Sequence, residues 1–489
     1  MLGETVQTID KACRSSESSP NPLLSYRICE KVKEEMLLGG NLVHVGVVLV
    51  VTFGTAVLRL SSSLLSGVTT YRIPPEDAPQ VLKSLRPANG KTRKSDPLGT
   101  AGSLAKVQLR HSEIEKLEFY KQLDHLVLFL GFASTLFWLD ELLSRSGWLP
   151  RSGLAPAFCV VCLAVAIWAL IKVQLLTKLA LNEEKGVMLY MGLGGLLVSG
   201  LWLERCPVSV MDHQLPEAVR ALNASLREFF SQYTPDAEVA HDLFPSWLMW
   251  PLLCIPAGLI AALMLPAGMR STRSFFQALN VPSWAQGHAS FTRPQRILLH
   301  ITLLLQMLVP LLWIRPISER AWKLPADATP AIQGAALVTA GLLQVCVLRP
   351  LAQSYLNTAL LHWHHLKHDL PAKVAKDSKV DLPRIMRLRV DMVNSLFCKV
   401  GTQLFAPAVI LIASGLMLVQ AAYITELGPA GEWVKDDIRS IKIPVAFYQT
   451  LGSFFGWWTS SCWAVVCGST LLAFGTGIVQ EGGTEKKPQ

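Results

Sequence analysis

Five ionisable side chains stand inside or at the edge of strongly apolar runs: Asp140 and Glu141 in TLFWLDELL, Lys172, His300 and Lys399. Charged groups at membrane depth cost several kcal/mol unless they pair or face water, so they mark ion paths, proton relays or helix ends. Asp140 and Glu141, together with Glu204 and Arg315, suit helix termini at the membrane interface. Lys172 and Arg349 suit snorkelling to the headgroups, since a long apolar stem can stay in lipid while the ammonium or guanidinium reaches out. His300 reads as a packed polar residue, and so does His44. Lys399 with Gln403 enters its run from the basic side and would line an ion path if that helix packs centrally. The cluster HWHHLKHD puts His364 and His368, and His365 and Asp369, one helical turn apart, a spacing that could begin a metal site. No third ligand accompanies them, so no metal and no cofactor is expected. No phosphate-binding glycine loop, GxSxG or HExxH occurs, and convergent acids or nucleophiles are lacking. The residues therefore point away from an enzyme.

The elements that must carry these groups are membrane helices. The chain has 489 residues, of which 51% are hydrophobic and 17% charged, with a mean hydropathy of +0.35. Soluble domains carry about 25% charge. Here the deficit collects in blocks of bilayer-spanning length. Nine spans are expected, near 41–59, 124–144, 154–176, 186–203, 247–266, 296–314, 331–348, 398–423 and 448–479. The last is long enough to be tilted, broken or joined to a surface helix, and 389–423 is similarly extended, which gives a range of eight to ten. The fold class is an all-α polytopic membrane helix bundle occupying 41–480. Pro251, Pro256, Pro266, Pro310 and Pro407 would kink or break spans five, six and eight.

Loop charges orient the bundle. Residues 59–122 hold eleven Lys and Arg, 267–296 four Arg and no acid, and 349–400 nine bases against four Asp. Residues 204–246 hold seven acids against three bases. Under the positive-inside tendency the acidic loop 204–246 is extracytoplasmic, and the loop 74–103 and the basic segment 349–397 are cytoplasmic. The N-terminal leader 1–40 then lies outside and the tail 481–489 in the cytosol. Asn223 begins the sequon Asn-Ala-Ser in the acidic loop and becomes a candidate glycosylation site. Within the same loop, PEAVRALNASLREFF (216–230) has amphipathic helical spacing suited to a membrane surface. Most cysteines, including the pair Cys159 and Cys162, fall in apolar runs as small packing residues. Cys13, Cys29 and Cys206 lie in polar segments where a disulfide could form. The net charge of +9 reflects cytoplasmic loops and no patch patterned for nucleic acid.

The last span contains FFGWWTSSCWAVV (454–466). Gly452, Gly456, Ser460, Ala464 and Gly468 recur every four residues, a small-residue ridge along one side of a helix. Lipid gives no hydrophobic drive to helix association, so close backbone approach matters, and small residues allow it. Thr459, Ser461 and Cys462 can bond to carbonyls of the preceding turn.

Several segments resemble the transmembrane protein 161 family. GWWTSSCW, with Trp457 and Trp458, resembles its C-terminal tryptophan-pair motif. GVVLVVTFGTAVLR (46–59), YRIPPEDAPQVLKSL with KTRK (71–94), and IKVQLL with NEEKG (171–186) resemble its first span, first cytoplasmic loop and third-span end. RPQRILLHITLL with WIRPISERAW (293–322, containing Pro316), and VLRPLAQSYL (347–356, containing Arg349 and Pro350), resemble its later spans. The likeness extends over roughly 40–480. It implies a multi-pass protein without an established reaction, connected with ion currents and excitability, and it supplies no binding residues.

The expectation is a non-enzymatic multi-pass membrane protein that regulates ion-channel activity or excitability through intramembrane helix contacts, its partners being lipid and ion channels or other membrane proteins. The alternative is a transporter or channel in its own right, using proline-broken helices and intramembrane polar residues. Plasma membrane and endomembrane are equally compatible with the sequence.

Overall fold

The computed structural model describes residues 59–72, 105–146, 154–176, 182–233, 243–323, 328–368, 382–426 and 443–478, with 46, 50–52, 54, 55 and 325. The leader, the loop 74–103, the C-terminal tail, Cys13, Cys29, His44 and most of the first expected span lie outside the described residues.

Helices dominate: α1 (Leu60–Leu65), α2 (Tyr120–Arg145), α3 (Leu154–Gln174), α4 (Asn182–Arg205), α5 (Leu215–Tyr233) and α6 (Met249–Leu279). They continue as α7 (Arg293–Leu308), α8 (Thr329–Cys346), α9 (Leu348–His368), α10 (Leu382–Ser395), α11 (Phe397–Glu426) and α12 (Val445–Gly475). Among the described residues seven helical stretches are long and apolar enough to cross a membrane, built on α2, α3, α4, α6, α7, α8 and α10–α11. The 31-residue α12 contains no charge and is long enough for an eighth; its Gly, Ser, Thr and Trp dilute its hydropathy. An all-α polytopic bundle of the expected range results.

The centre of the bundle is α11. In the span that contains it, 94% of the most apolar window is buried, against 17% in α4. It packs against α2, α3, α6, α8, α9 and α12. That environment explains its sequence, since a helix that is apolar on all sides is one surrounded by other helices. At the other extreme, α4 rests on α6 alone among its main contacts and turns Leu189, Tyr190, Leu193, Leu197 and Leu201 outward.

Small residues set the closest crossings. Gly192 of α4 sits where a Cβ would touch Ala262 at 3.2 Å, and Gly258 of α6 where one would touch the Gly192 carbonyl at 2.9 Å. Gly334 and Gly341 of α8 face Gly415 and Ala408 of α11 in the same manner.

The prolines do not break α6 or α11. Pro256 and Pro266 lie inside the continuous α6, and Pro407 inside α11. Only Pro310 accompanies an ending, where α7 passes into a 3-10 turn, Val309–Trp313. The last span, expected as tilted, broken or composite, is one continuous helix.

One feature outside the helices joins distant parts of the chain. Strands β1 (Thr69–Arg72) and β2 (Ala105–Gln108) pair antiparallel. Gln353 of α9 accepts from the Thr69 backbone N–H at 2.8 Å and donates to its carbonyl at 3.0 Å, while Asn394 of α10 donates to the Tyr71 carbonyl at 3.1 Å. These bonds satisfy a strand edge that would otherwise stand open. Burial at this junction pushes the Tyr71 phenol up to about 12.

Candidate functional site

Two groups of polar side chains buried between the helices meet along α12. The first is a relay through the bundle. Trp463 Nε1 donates to Gln306 Oε1 at 2.8 Å, Gln306 Nε2 to Gln344 Oε1 at 2.9 Å, and Gln344 Nε2 to the Leu404 carbonyl at 2.9 Å. Four helices, α12, α7, α8 and α11, are thereby tied by three bonds, and each amide uses both a donor and an acceptor. Leu404 lies in the turn before Pro407, next to Gln403, whose carbonyl is the one the missing Pro407 N–H leaves without an intrahelical donor. In α6 likewise, Gln174 Nε2 of α3 donates to the Leu263 carbonyl at 3.1 Å, in the turn before Pro266. Trp458 Nε1 adds a bond to the Ala257 carbonyl at 2.8 Å.

The second group lies at the other end of α12. His213, in the turn before α5, shares a hydrogen bond with Ser453 Oγ at 3.1 Å, and Trp313 Nε1 donates to the same oxygen at 2.9 Å. Thr450 Oγ1 donates to the His213 carbonyl at 2.9 Å. Around them Arg315 pairs with Asp212 at 3.1 Å and donates to the Val208 carbonyl at 2.9 Å. The His213 ring packs on Trp457 and Phe454, and Trp202 stacks on Trp457 at 5.2 Å. A polar cavity of about 100 Å³ opens here, lined in part by Asp212, His213, Arg315, Glu319, Gln333 and Ser453. Burial drives the His213 imidazole down to about 4, against the opposing field of Asp212, so it is neutral at pH 7.

The expected site residues are placed as follows. Gly452 and Gly456 of the ridge face α11 and α8: a Cβ on Gly452 would lie 2.9 Å from the Ser414 carbonyl, and one on Gly456 would strike the end of Leu337. Ser460 is buried, Ala464 is half-buried, and Gly468 has nothing nearer its Cβ position than Met307 Cε at 3.7 Å. The ridge is therefore tight at its N-terminal half and loose beyond. Trp457 and Trp458 are both buried.

Asp140 and Glu141 do not sit at an open interface. They are 5% and 7% exposed, because the end of α2 packs into the bundle, and Arg145 covers Glu141 with a 2.6 Å bond. Lys172 is exposed at the end of α3. His300 is exposed rather than packed inside, because it points off α7 with Nδ1 donating to the Arg296 carbonyl at 2.7 Å and its ring against Phe275. Lys399 is 3% exposed and Gln403 1%, on the buried helix α11. Arg349 donates to the Leu64 and Ser63 carbonyls, capping α1, with Pro350 buried beside it. Pro316 is exposed at the start of a π-helical turn. Asn223, the candidate sugar acceptor, is 6% exposed, and its carboxamide accepts from Phe244 N at 2.7 Å and donates to Phe244 O at 2.9 Å. Among the histidines of the 362–369 cluster, His364 stacks on Trp284 at 3.7 Å. No group of three His, Cys, Asp or Glu suited to a metal occurs among the described residues. Among the described residues Cys206 has no disulfide partner.

Sequence reasoning missed the Gln306–Gln344 relay and the His213 cluster. A glutamine in an apolar span was the available signal for the first.

A bundle of membrane-length helices whose internal polar groups bond helix to helix defines an integral, multi-pass membrane protein. The family model described as predicted transmembrane protein 161AB matches residues 97–426, about two thirds of the chain. The chain belongs to that family. The matched region holds the relay glutamines and Lys399, whereas the first-span segment, the segment 71–94 and GWWTSSCW lie outside it. Neither the curated proteins nor the solved structures contain a match.

Proposed function

We propose that this chain is a non-enzymatic regulator of ion-channel activity, and so of membrane excitability, acting through helix contacts inside the bilayer. The observation that carries this reading is the contrast between α11 and α4. Gln306 and Gln344 in the interior of the bundle are engaged in helix-to-helix bonds, while α4 turns a long apolar face outward with only 17% of its window buried. Gly186 and Gly194 on α4 have open space at their Cβ positions, so a partner helix could approach its backbone closely. The partners are ion channels or other membrane proteins, with the leader outside and the tail in the cytosol as the loop charges require.

A second reading, a transporter or channel, is favoured by Lys399, Thr402 and Gln403, all buried within the eight residues before Pro407. The two readings separate in liposomes. The purified protein is expected to carry no ion flux under an applied potential with potassium, sodium, calcium or protons. Co-reconstituted with a potassium channel, it is expected to change the channel current, and Gly194→Leu to remove the change. Flux abolished by Lys399→Ala in folded protein would replace the first reading with the second.

A further inference from the structure

The polar cavity beside His213 is walled by two buried groups with hydrogen-bonding capacity that the fold does not use. His213 is 8% exposed, its ring held on Trp457 and Phe454. Ser453 Oγ accepts from Trp313 Nε1 and, among the described residues, bonds otherwise only to His213 Nδ1. The serine proton therefore goes to Nδ1, and the proton of the neutral imidazole sits on Nε2. That N–H is buried and has no acceptor among the described residues, whereas buried donors are as a rule satisfied. Gln333 of α8 repeats the pattern with an acceptor. Its Nε2 donates to the Leu312 carbonyl at 3.2 Å, and its Oε1 receives no bond among the described residues.

The charges around these two groups do not cancel. Asp212, Arg315 and Glu319 are the charged residues of the described lining. Arg315 serves both carboxylates, Asp212 at 3.1 Å and Glu319 at 3.8 Å. One guanidinium against two carboxylates leaves one net negative charge, and the longer contact places it at Glu319, whose side chain is 52% exposed. At about 30 Å³ per water, the cavity of about 100 Å³ has room for about three waters or an organic molecule of about four heavy atoms.

We propose that this cavity binds a small primary ammonium compound with an oxygen acceptor two carbons from the nitrogen, an amino alcohol or an amino acid. The ammonium lies between Glu319 and Gln333 Oε1, and the oxygen accepts from His213 Nε2. An ammonium brings three donors and no acceptor, which suits a carboxylate and an amide oxygen, and its charge answers the one the lining leaves over. The site needs no channel partner, so it stands or falls apart from the regulatory reading.

Saturation-transfer NMR on the full-length protein in phosphatidylcholine nanodiscs at pH 7 tests this, with ethanolamine, glycine, ethylamine and ethylene glycol as probes. Ethanolamine is expected to bind about tenfold more tightly than ethylamine, which lacks the oxygen, and than ethylene glycol, which lacks the charge. Glu319→Gln, a change at a half-exposed side chain, should weaken ethanolamine about tenfold. Gln333→Met should do likewise, and the Glu319 variant decides the matter if the Gln333 variant does not fold. The order of ethanolamine and glycine separates amino alcohols from amino acids, and either order supports the class. Saturation of no probe would mean that the cavity holds water alone and would overturn the proposal. Ethylene glycol bound as well as ethanolamine, or ethanolamine binding unchanged in Glu319→Gln, would overturn it too.

Discussion

Gly334 of α8 and Gly415 of α11 cross so closely that a Cβ on either would meet the backbone carbonyl of the other, at 2.7 and 2.6 Å. Neither carbonyl can swing aside without moving its helix. The contact explains how α8 packs on the central helix although little of α8 itself is buried.

Substituting either glycine by alanine is expected to cost about 1–3 kcal/mol, the usual penalty for overpacking. Gly194→Ala, at a position open to its surroundings, should leave stability unchanged. Thermal unfolding in detergent compares the three. Equal midpoints for Gly415→Ala and Gly194→Ala would show that the crossing is not tight.

The glutamine relay should behave as a unit. Gln344→Leu leaves both the Gln306 amide and the Leu404 carbonyl without their partner. Each intramembrane bond is worth about 0.6 kcal/mol, with a maximum near 1.7, so a loss of about 1–2 kcal/mol is expected. Gln306→Leu/Gln344→Leu should lose less than the sum of its single changes, since the second removes a group already orphaned. A double-mutant cycle that is additive would show the bonds to be independent.

His213 gives stability a pH dependence. Its folded value, about 4, lies below the ordinary 6.5, so between these values the unfolded chain binds the proton and the folded one does not. Stability from this group is complete above about pH 6.5 and falls as pH drops toward 4, by on the order of 3 kcal/mol in all. His213→Gln should flatten the unfolding midpoint across that window. A slope equal to that of the unsubstituted protein would assign the dependence to another group.

Asn223 should carry no glycan in the mature fold, because its nitrogen bonds the Phe244 carbonyl. Glycosidase treatment is expected to leave the mobility of the folded, membrane-inserted protein unchanged. Asn223→Ala should cost about 1–3 kcal/mol by stranding the Phe244 backbone groups, and proteolysis near 243–246 should accelerate.

Much of the architecture was legible because spans are written in composition: uncharged blocks of bilayer length give α2, α3, α4, α7, α8 and α11 with boundaries close to those observed, and α6 with its start, although α6 runs on to Leu279 past the expected end at 266. The positions of Gly452 and Gly456 at a close crossing follow from their four-residue spacing. Other features lack a local signature. Strands β1 and β2 are four residues each and lie 32 residues apart in the chain, so neither marks the other. Gly334 and Gly415 gain meaning only as a pair. Asp140 and Glu141 carry the same charge whether a helix end meets water or other helices, so their burial had no sequence signal. His213 lies in a polar turn, where nothing announces that α12 will bury it.

The burial of α11 bears on how the molecule is made. This helix carries Lys399, Thr402 and Gln403 into the middle of the bundle, and its partners α2, α3, α6, α8 and α9 all precede it in the chain. The segment is apolar enough to cross a membrane, but Lys399, Thr402 and Gln403 near its start are better placed against protein than against lipid. Its natural moment of entry is after those helices have gathered, so that it passes from the insertion machinery into a cleft of protein. The order of synthesis thus matches the order of need, and α12, emerging last, closes the cleft behind it.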